Sequence, residues 1–325
     1  MSRAEQEPTH QDEAARAGWL SYVGGLTQDQ IAAELGISRQ RAQRLVSRAM
    51  AEGLIHVRLN HHIAGCLDLE AALQDRFGLT RVRVMPSLGA QVDPVRSVAP
   101  AAAAEMERFL AKPQPLTIAL GTGRSLRAMV DAMERTEAVQ HRLVSLNGNI
   151  APDGSASFFD VVMRLADKVN APHYPMPVPV VSPTEAETVA YHAMPAIRQV
   201  RNLATNADVI FVGIGQMSDD APVFKDGFVS RAELNEMQAS GAAGEIAGWV
   251  YDIEGNYLDI EIHRRTGGVR VMPGLDRPAI GVAAGAAKVP AIYGALKRRI
   301  INSLITDETT GQAVLAMQDG CNRGG

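Results

Sequence analysis

The apolar positions of this chain follow two regimes: helical spacing near the N-terminus, then short apolar runs alternating with amphipathic helices. Between Leu26 and Ile55, the residues Ile31, Ala32 and Leu35 lie at i, i+1 and i+4, which predicts a short helix with one buried stripe. Thr27 is placed to cap that helix and Gly36 to end it. Ser38 is placed to cap a second helix, in which Ala42, Leu45, Val46 and Ala49 fall at i, i+3, i+4 and i+7 and share the inward face. Gly53 closes it, and the alternation His56-Val57-Arg58-Leu59 predicts the strand of a wing. A short helix, a tight turn and a second helix have the spacing of a helix-turn-helix.

The outward face of the second helix carries Arg39, Gln40, Arg41, Gln43, Arg44, Ser47 and Arg48. Arginine pairs bidentately with guanine and glutamine with adenine, and either holds a phosphate oxygen. The residues expected to work at DNA are therefore Arg39, Gln40, Arg41, Gln43, Arg44 and Arg48, with Thr27 and Ser38 at the helix starts. A solvated helix face would also be rich in arginine. Two observations favour DNA: the motif spacing, and a local excess of positive charge. Gly36 to Asn60 holds five arginines against Glu52 alone, in a chain whose formal net charge is -4.

Beyond the wing, Leu69, Ala72, Leu73 and Phe77 predict a linker helix leading into the next domain, which a strand at Arg81 to Met85 opens. Further strands are expected at Leu116 to Leu120, Leu143 to Leu146, Asp208 to Val212 and Ala279 to Ala283, with helical patterns between them. Strands alternating with helices imply an α/β, Rossmann-like domain whose mainly parallel sheet is covered on both faces. The expected boundaries are a flexible tail over 1–12, a winged helix-turn-helix over 13–62, a linker helix over 63–79 and an effector and oligomerisation domain over 80–325.

Ligands of open parallel sheets bind at the carboxyl ends of strands, and the strand exits here are rich in glycine. The first exit is Gly121-Thr122-Gly123-Arg124-Ser125. Its glycines let backbone approach an anion, Thr122 and Ser125 add hydroxyls, Arg124 adds charge, and the following helix offers free N–H groups. It lacks both the spacing of a nucleotide P-loop and the dinucleotide fingerprint, and a tight strand-to-helix turn would also need glycine. The other exits are Asn147-Gly148-Asn149, Gly213-Ile214-Gly215 and Gly285-Ala286-Ala287-Lys288. Glu245 follows a helix opened by Ser230 and Glu233, a capping-box pair, and is placed to accept hydrogen bonds from sugar hydroxyls. Lys288 is placed to neutralise a phosphate or to hold a hydroxylated ligand. The alternatives are a loop carboxylate and a surface lysine at a helix start.

Composition sets limits. At 325 residues the chain has room for a small DNA-binding module and a large further domain, and its 46% hydrophobic content supports a core built mainly from aliphatic residues, since aromatics are 5%. Cys66 and Cys321 lack metal-ligand spacing, so a reduced cytoplasmic setting is expected, with no metal, no cofactor and no membrane span.

The segments LTQDQIAAELGISRQRAQRLVSRAMAEGLI, IALGTGRSL, VIFVGIG, GAAGEI, AAGAAKVPAIYGAL and INSLITDE, in this order, make the chain resemble the SorC-type sugar-responsive transcriptional regulators. The resemblance covers nearly the whole length. It implies a winged helix-turn-helix followed by an effector domain related in fold to ribose-5-phosphate isomerases and glucosamine-6-phosphate deaminases. It also implies a homotetramer that binds double-stranded operator DNA near carbohydrate or polyol catabolic genes, under the control of a sugar, polyol or sugar phosphate. Carried over by position, the family's anion-binding loop falls on Gly121 to Ser125, the next loop on Asn147 to Asn149, and the acidic and lysine positions on Glu245 and Lys288. Gly123-Arg124 departs from the small or hydroxyl residues of many relatives.

The main alternative is a sugar-phosphate isomerase or deaminase carrying an added DNA-binding domain. Asp219, Asp220, Glu245, His173 and His263 are its candidate acid and base groups, but their spacing poises none for proton transfer, and no catalytic residue is expected. A structural DNA-binding protein without a ligand is disfavoured by the size of the C-terminal region.

Overall fold

The computed structural model describes residues 10–55, 64–89, 91–156 and 161–318. The chain divides into two units, Met1–His61 and His62–Gly325.

The small unit contains three helices among its described residues: α1 (His10–Tyr22), α2 (Gln28–Leu35) and α3 (Arg39–Ala51). Thr27 and Gln30 form a reciprocal capping box at the start of α2, and the Ser38 side chain accepts the Arg41 N–H at the start of α3. Ile31, Ala32, Ala42, Leu45 and Ala49 form the core, as their spacing predicts. Helix α1 completes this core through Ala14 and Ala17. Helix α1 begins at His10, inside the span 1–12 expected as a tail; residues 1–9 of that span lie outside the described residues. The expected wing strand at His56 to Leu59 lies outside the described residues.

The large unit opens with α4 (Ala64–Phe77) and runs through β1 (Arg81–Met85), α5 (Val95–Leu110), β2 (Thr117–Leu120), α6 (Arg124–Ala132), β3 (Arg142–Ile150), α7 (Val162–Val169) and β4 (His173–Pro179). It continues with α8 (Glu185–Ala193), α9 (Pro195–Thr205), β5 (Val209–Gly213), β6 (Gly215–Gln216), α10 (Pro222–Lys225), α11 (Arg231–Ala239), β7 (Gly244–Ile246), β8 (Trp249–Tyr251) and α12 (Ile262–Arg265). It ends with β9 (Ala279–Val282), α13 (Val289–Lys297), β10 (Ser303–Asp307) and α14 (Glu308–Ala316). The helix expected as a linker is built into this unit. Leu69 and Leu73 of α4 are buried with Val82 and Val84, and Glu70 accepts the Val84 N–H at 2.9 Å.

Seven parallel strands form the main sheet in the order β1-β10-β9-β5-β2-β3-β4. Alternate residues feed opposite faces: Ala119, Val144, Ile210 and Val212 enter one core, while Ile118, Leu120, Val209 and Phe211 enter the other. This is the doubly wound three-layer arrangement that alternating strands and helices imply. From β2 the chain winds outward to β3 and β4; from β5 it winds the other way to β9 and β10. The sheet therefore reverses direction between β2 and β5, and a crevice must open above their carboxyl ends.

Strand β4 and the three short strands after β5 escape a simple periodicity reading. Strand β4, HYPMPVP, carries proline at every second position and sits at the sheet edge, the one place where missing N–H donors are tolerated. The segment between β5 and β9 makes an excursion that includes the antiparallel sheet β6-β7-β8 and its own small core of Met217, Leu234, Met237, Val250 and Ile262.

Candidate DNA-reading face and effector pocket

Helix α3 is the second helix of the expected helix-turn-helix in the small unit. Its apolar stripe faces α1 and α2, which leaves Arg39, Gln40, Arg41, Gln43, Arg44 and Arg48 exposed. Carboxylates from elsewhere reach most of these arginines: Asp29 of α2 lies 3.3 Å from Arg39, Glu13 of α1 lies 3.0 Å from Arg41, and Glu52 pairs with Arg48. The local charge is thus more balanced than sequence counting around Glu52 suggests. Arg44 differs, since its Nε donates to the Gln40 carbonyl and it has no carboxylate partner among the described residues. Exposed pairs of this kind contribute roughly 0–1 kcal/mol, so a phosphate can displace Asp29 or Glu13 at little cost. Thr27 and Ser38 act in this structure as helix caps.

In the large unit, a cavity of about 260 Å³ lies at the β2/β5 crevice. Nine of the eleven sequence-derived effector positions line it: Gly121, Thr122, Gly123, Arg124, Ser125, Asn147, Gly215, Glu245 and Lys288. Gly123 has φ 116°, a conformation suited to glycine, and turns the chain from β2 into α6 so that the first N–H groups of the helix border the cavity.

Gly148 and Asn149, also expected at the effector site, do not line the cavity. The loop expected at 147–149 is a continuation of β3, with register shifts around Gly148. A Cβ on Gly148 would lie 2.4 Å from the Pro179 carbonyl oxygen, so this glycine lets β4 approach β3. Asn147 remains at the cavity, 6% exposed, and its Oδ1 has no hydrogen-bond partner among the described residues.

Glu245 lies in strand β7 instead of a loop. It pairs in register with Gly215, where a Cβ would sit 2.1 Å from its Oε1, so Gly215 is glycine to make room for this carboxylate. Its Oε2 accepts the Gly248 N–H at 2.8 Å. Burial pushes the Glu245 carboxyl above its usual range, opposed by the Gly248 hydrogen bond and the Lys288 charge. Burial draws the Lys288 ammonium below its usual range, with Glu245 opposing that shift. Glu245 and Lys288 thus place an acceptor and a donor in one cavity.

Sequence reasoning missed the outer wall, which Pro222, Val223, Asp226 and Phe228 form, and Asp93 on the rim. Asp226 is the consequential one. Its carboxylate accepts from the two terminal nitrogens of the Arg124 guanidinium, at 2.8 and 3.2 Å, and ties the end of α10 to the start of α6 across the cavity. No periodicity links residues 124 and 226; only the excursion between β5 and β9 brings them together.

Comparison with known proteins assigns both units. A model of the sugar-binding domain family matches residues 61–316, and one of the MarR family matches residues 17–61. The chain belongs to the SorC-type sugar-binding transcriptional regulators. Among members of this family, it is 33% identical to the erythritol catabolism regulatory protein EryD of Brucella abortus, over 94% of this chain and 97% of that one. It is 35% identical to the transcriptional regulator LsrR of an Enterobacter species, over 95% and 94%. The crystal structure of the full-length sorbitol operon regulator SorC from Klebsiella pneumoniae superposes with a TM-score of 0.72 at 25% identity, covering 93% of this chain and 97% of that one. This SorC-type chain is therefore a DNA-binding transcriptional regulator with an α/β sugar-binding domain. Among the described residues, no helix is long and apolar enough to cross a membrane, and no cluster of side chains could hold a metal ion.

Proposed function

We propose that the protein is a cytoplasmic, one-component regulator of carbohydrate or polyol catabolic genes. Operator binding by α3 responds to a sugar, polyol or sugar phosphate held at the β2/β5 crevice. The observation that carries this reading is the cavity itself: it lies at the reversal point of the sheet and collects helix N–H groups, Asn147, Glu245 and Lys288 in one place. The names of the relatives support the ligand class, since one regulator is named for erythritol catabolism and another for a sorbitol operon.

The working assembly is a homotetramer in which effector binding selects the spacing of paired reading helices. Two such helices enter successive major grooves only when they lie about 34 Å apart or a multiple of that. Shifts of a few ångströms therefore suffice to lose operator contacts. The protein is not an enzyme in this reading. Of the acid and base candidates, only Glu245 lines the cavity; Asp219 and Asp220 pair with Arg231 and Lys225, and His263 accepts the Val250 N–H.

A thermal-shift screen against sugars, polyols and their phosphates, followed by mobility shifts on the DNA upstream of the protein's own gene, tests this function. A stabilising ligand that alters the mobility shift is the expected result. Turnover of pentose or hexosamine phosphates would replace the regulator with an enzyme, and a dimer or monomer in sedimentation would remove the tetramer.

A further inference from the structure

The polar groups of the cavity say more about the ligand than its size does. Among the described residues that line it, Arg124 and Lys288 carry positive charge, while Asp93, Asp226 and Glu245 carry carboxyl groups, which leaves one carboxyl in excess of the cations. Arg124, the residue best shaped to grip a phosphate, is already gripped: Asp226 meets the two terminal nitrogens of its guanidinium in the fork geometry that a phosphate would use. Asp226 is itself largely buried, its side chain 18% exposed, so water screens its charge poorly.

One buried acceptor calls for a hydroxyl. Asn147 Oδ1 lies at the cavity without a donor among the described residues, and Glu245 Oε1 faces Gly215, where no side chain competes for it. Asn147 Oδ1 needs a hydrogen-bond donor from the ligand, and Glu245 can accept another. An ionised phosphate group has acceptors only and cannot meet these atoms, whereas a hydroxyl both donates and accepts, so this end of the pocket is built for hydroxyls. Hydroxyls can therefore satisfy Asn147 and Glu245 as donors while accepting from Lys288 and from the N–H groups at the start of α6.

We infer that this pocket takes an uncharged polyhydroxylated ligand, and that Asp226 excludes phosphate esters by occupying Arg124 and presenting its own negative charge. The inference rests on the effector reading above and narrows it. To use Arg124, a phosphate ester would have to displace Asp226 and then lie beside the carboxylate it had released, and even held by Lys288 it would share the cavity with that carboxylate, a juxtaposition of like charges that specific sites use for rejection.

The test is calorimetric titration of the full-length protein with matched pairs: erythritol, xylitol and D-glucitol, each beside its terminal phosphate ester. At least one free polyol is expected to bind about tenfold or more tightly than its ester. Asp226→Asn is expected to shrink that ratio or reverse it by improving ester binding. Arg124→Gln is expected to keep the preference for the free polyol, and it preserves the test if the first variant does not fold. An ester preference in the parent, or an ester affinity that collapses in Arg124→Gln while polyol binding is retained, overturns the inference yet leaves the effector site standing. Failure of every pair to bind overturns the sugar-type effector itself.

Discussion

Arg44 stands apart among the basic residues of α3 because no carboxylate engages it among the described residues. If it reads a guanine, Arg44→Ala should cost about 1 to 3 kcal/mol of operator affinity and relax selectivity at one base pair. Unchanged discrimination between operator and random duplex in fluorescence anisotropy would remove that role. Arg41→Ala should weaken all duplexes alike, since its tie to Glu13 suits a backbone contact more than base reading. At the pocket, Thr122→Ala or Lys288→Ala should abolish the ligand-induced thermal shift and spare operator binding; two variants that both respond like the parent would move the site elsewhere. His263 gives a pH signature outside the pocket. Burial, with Arg270 nearby, draws its imidazole from 6.5 down to about 4. The folded state thus favours the neutral ring. Its contribution is complete above about pH 6.5 and is lost as the pH falls toward 4, at most about 3 kcal/mol. His263→Gln should lose less stability than the parent across that interval in urea titrations, and an identical slope would exclude His263 as its source.

Elements differ in how plainly the chain announces them. The two helices of the helix-turn-helix are legible from their apolar spacing and caps, strand β1 from its alternation, and strands β2, β5 and β9 as short continuous apolar runs. Helix α1 is faint for a physical reason: its buried face is Ala14, Ala17 and Gly18, which give little hydrophobic contrast. Those small residues permit close approach, since a Cβ on Gly18 would lie 2.0 Å from Ile55 Cδ1 and 2.9 Å from Ala49 Cβ. Gly18→Val should therefore destabilise the small unit by about 1 to 3 kcal/mol and cut operator affinity, while the large unit melts unchanged. A parental melting profile would show that α1 is more loosely seated. The pocket was legible in part. Strand exits point to it from sequence, but its outer wall depends on pairings between β6, β7 and β8 that are two or three residues long and leave no periodic trace.

For the whole molecule, the test of regulation is reciprocity. If a ligand changes operator affinity by some factor, operator DNA must change ligand affinity by the same factor, with typical couplings of about 1 to 3 kcal/mol. Titrating ligand into free protein and into the protein–operator complex measures both sides, and equal ligand affinities in the two titrations would exclude an effector role for that ligand. The layout of the large unit has one more consequence. The inner wall of the cavity comes from strands locked into a seven-stranded ladder, whereas Asp226, Phe228 and Glu245 belong to a single excursion between β5 and β9 with a core of its own. On the proposed effector reading, substitutions in that one stretch can change which molecule is sensed while the ladder, its register and the helix-turn-helix are inherited intact, so one scaffold can follow a changing diet by rewriting a contiguous piece of its gene.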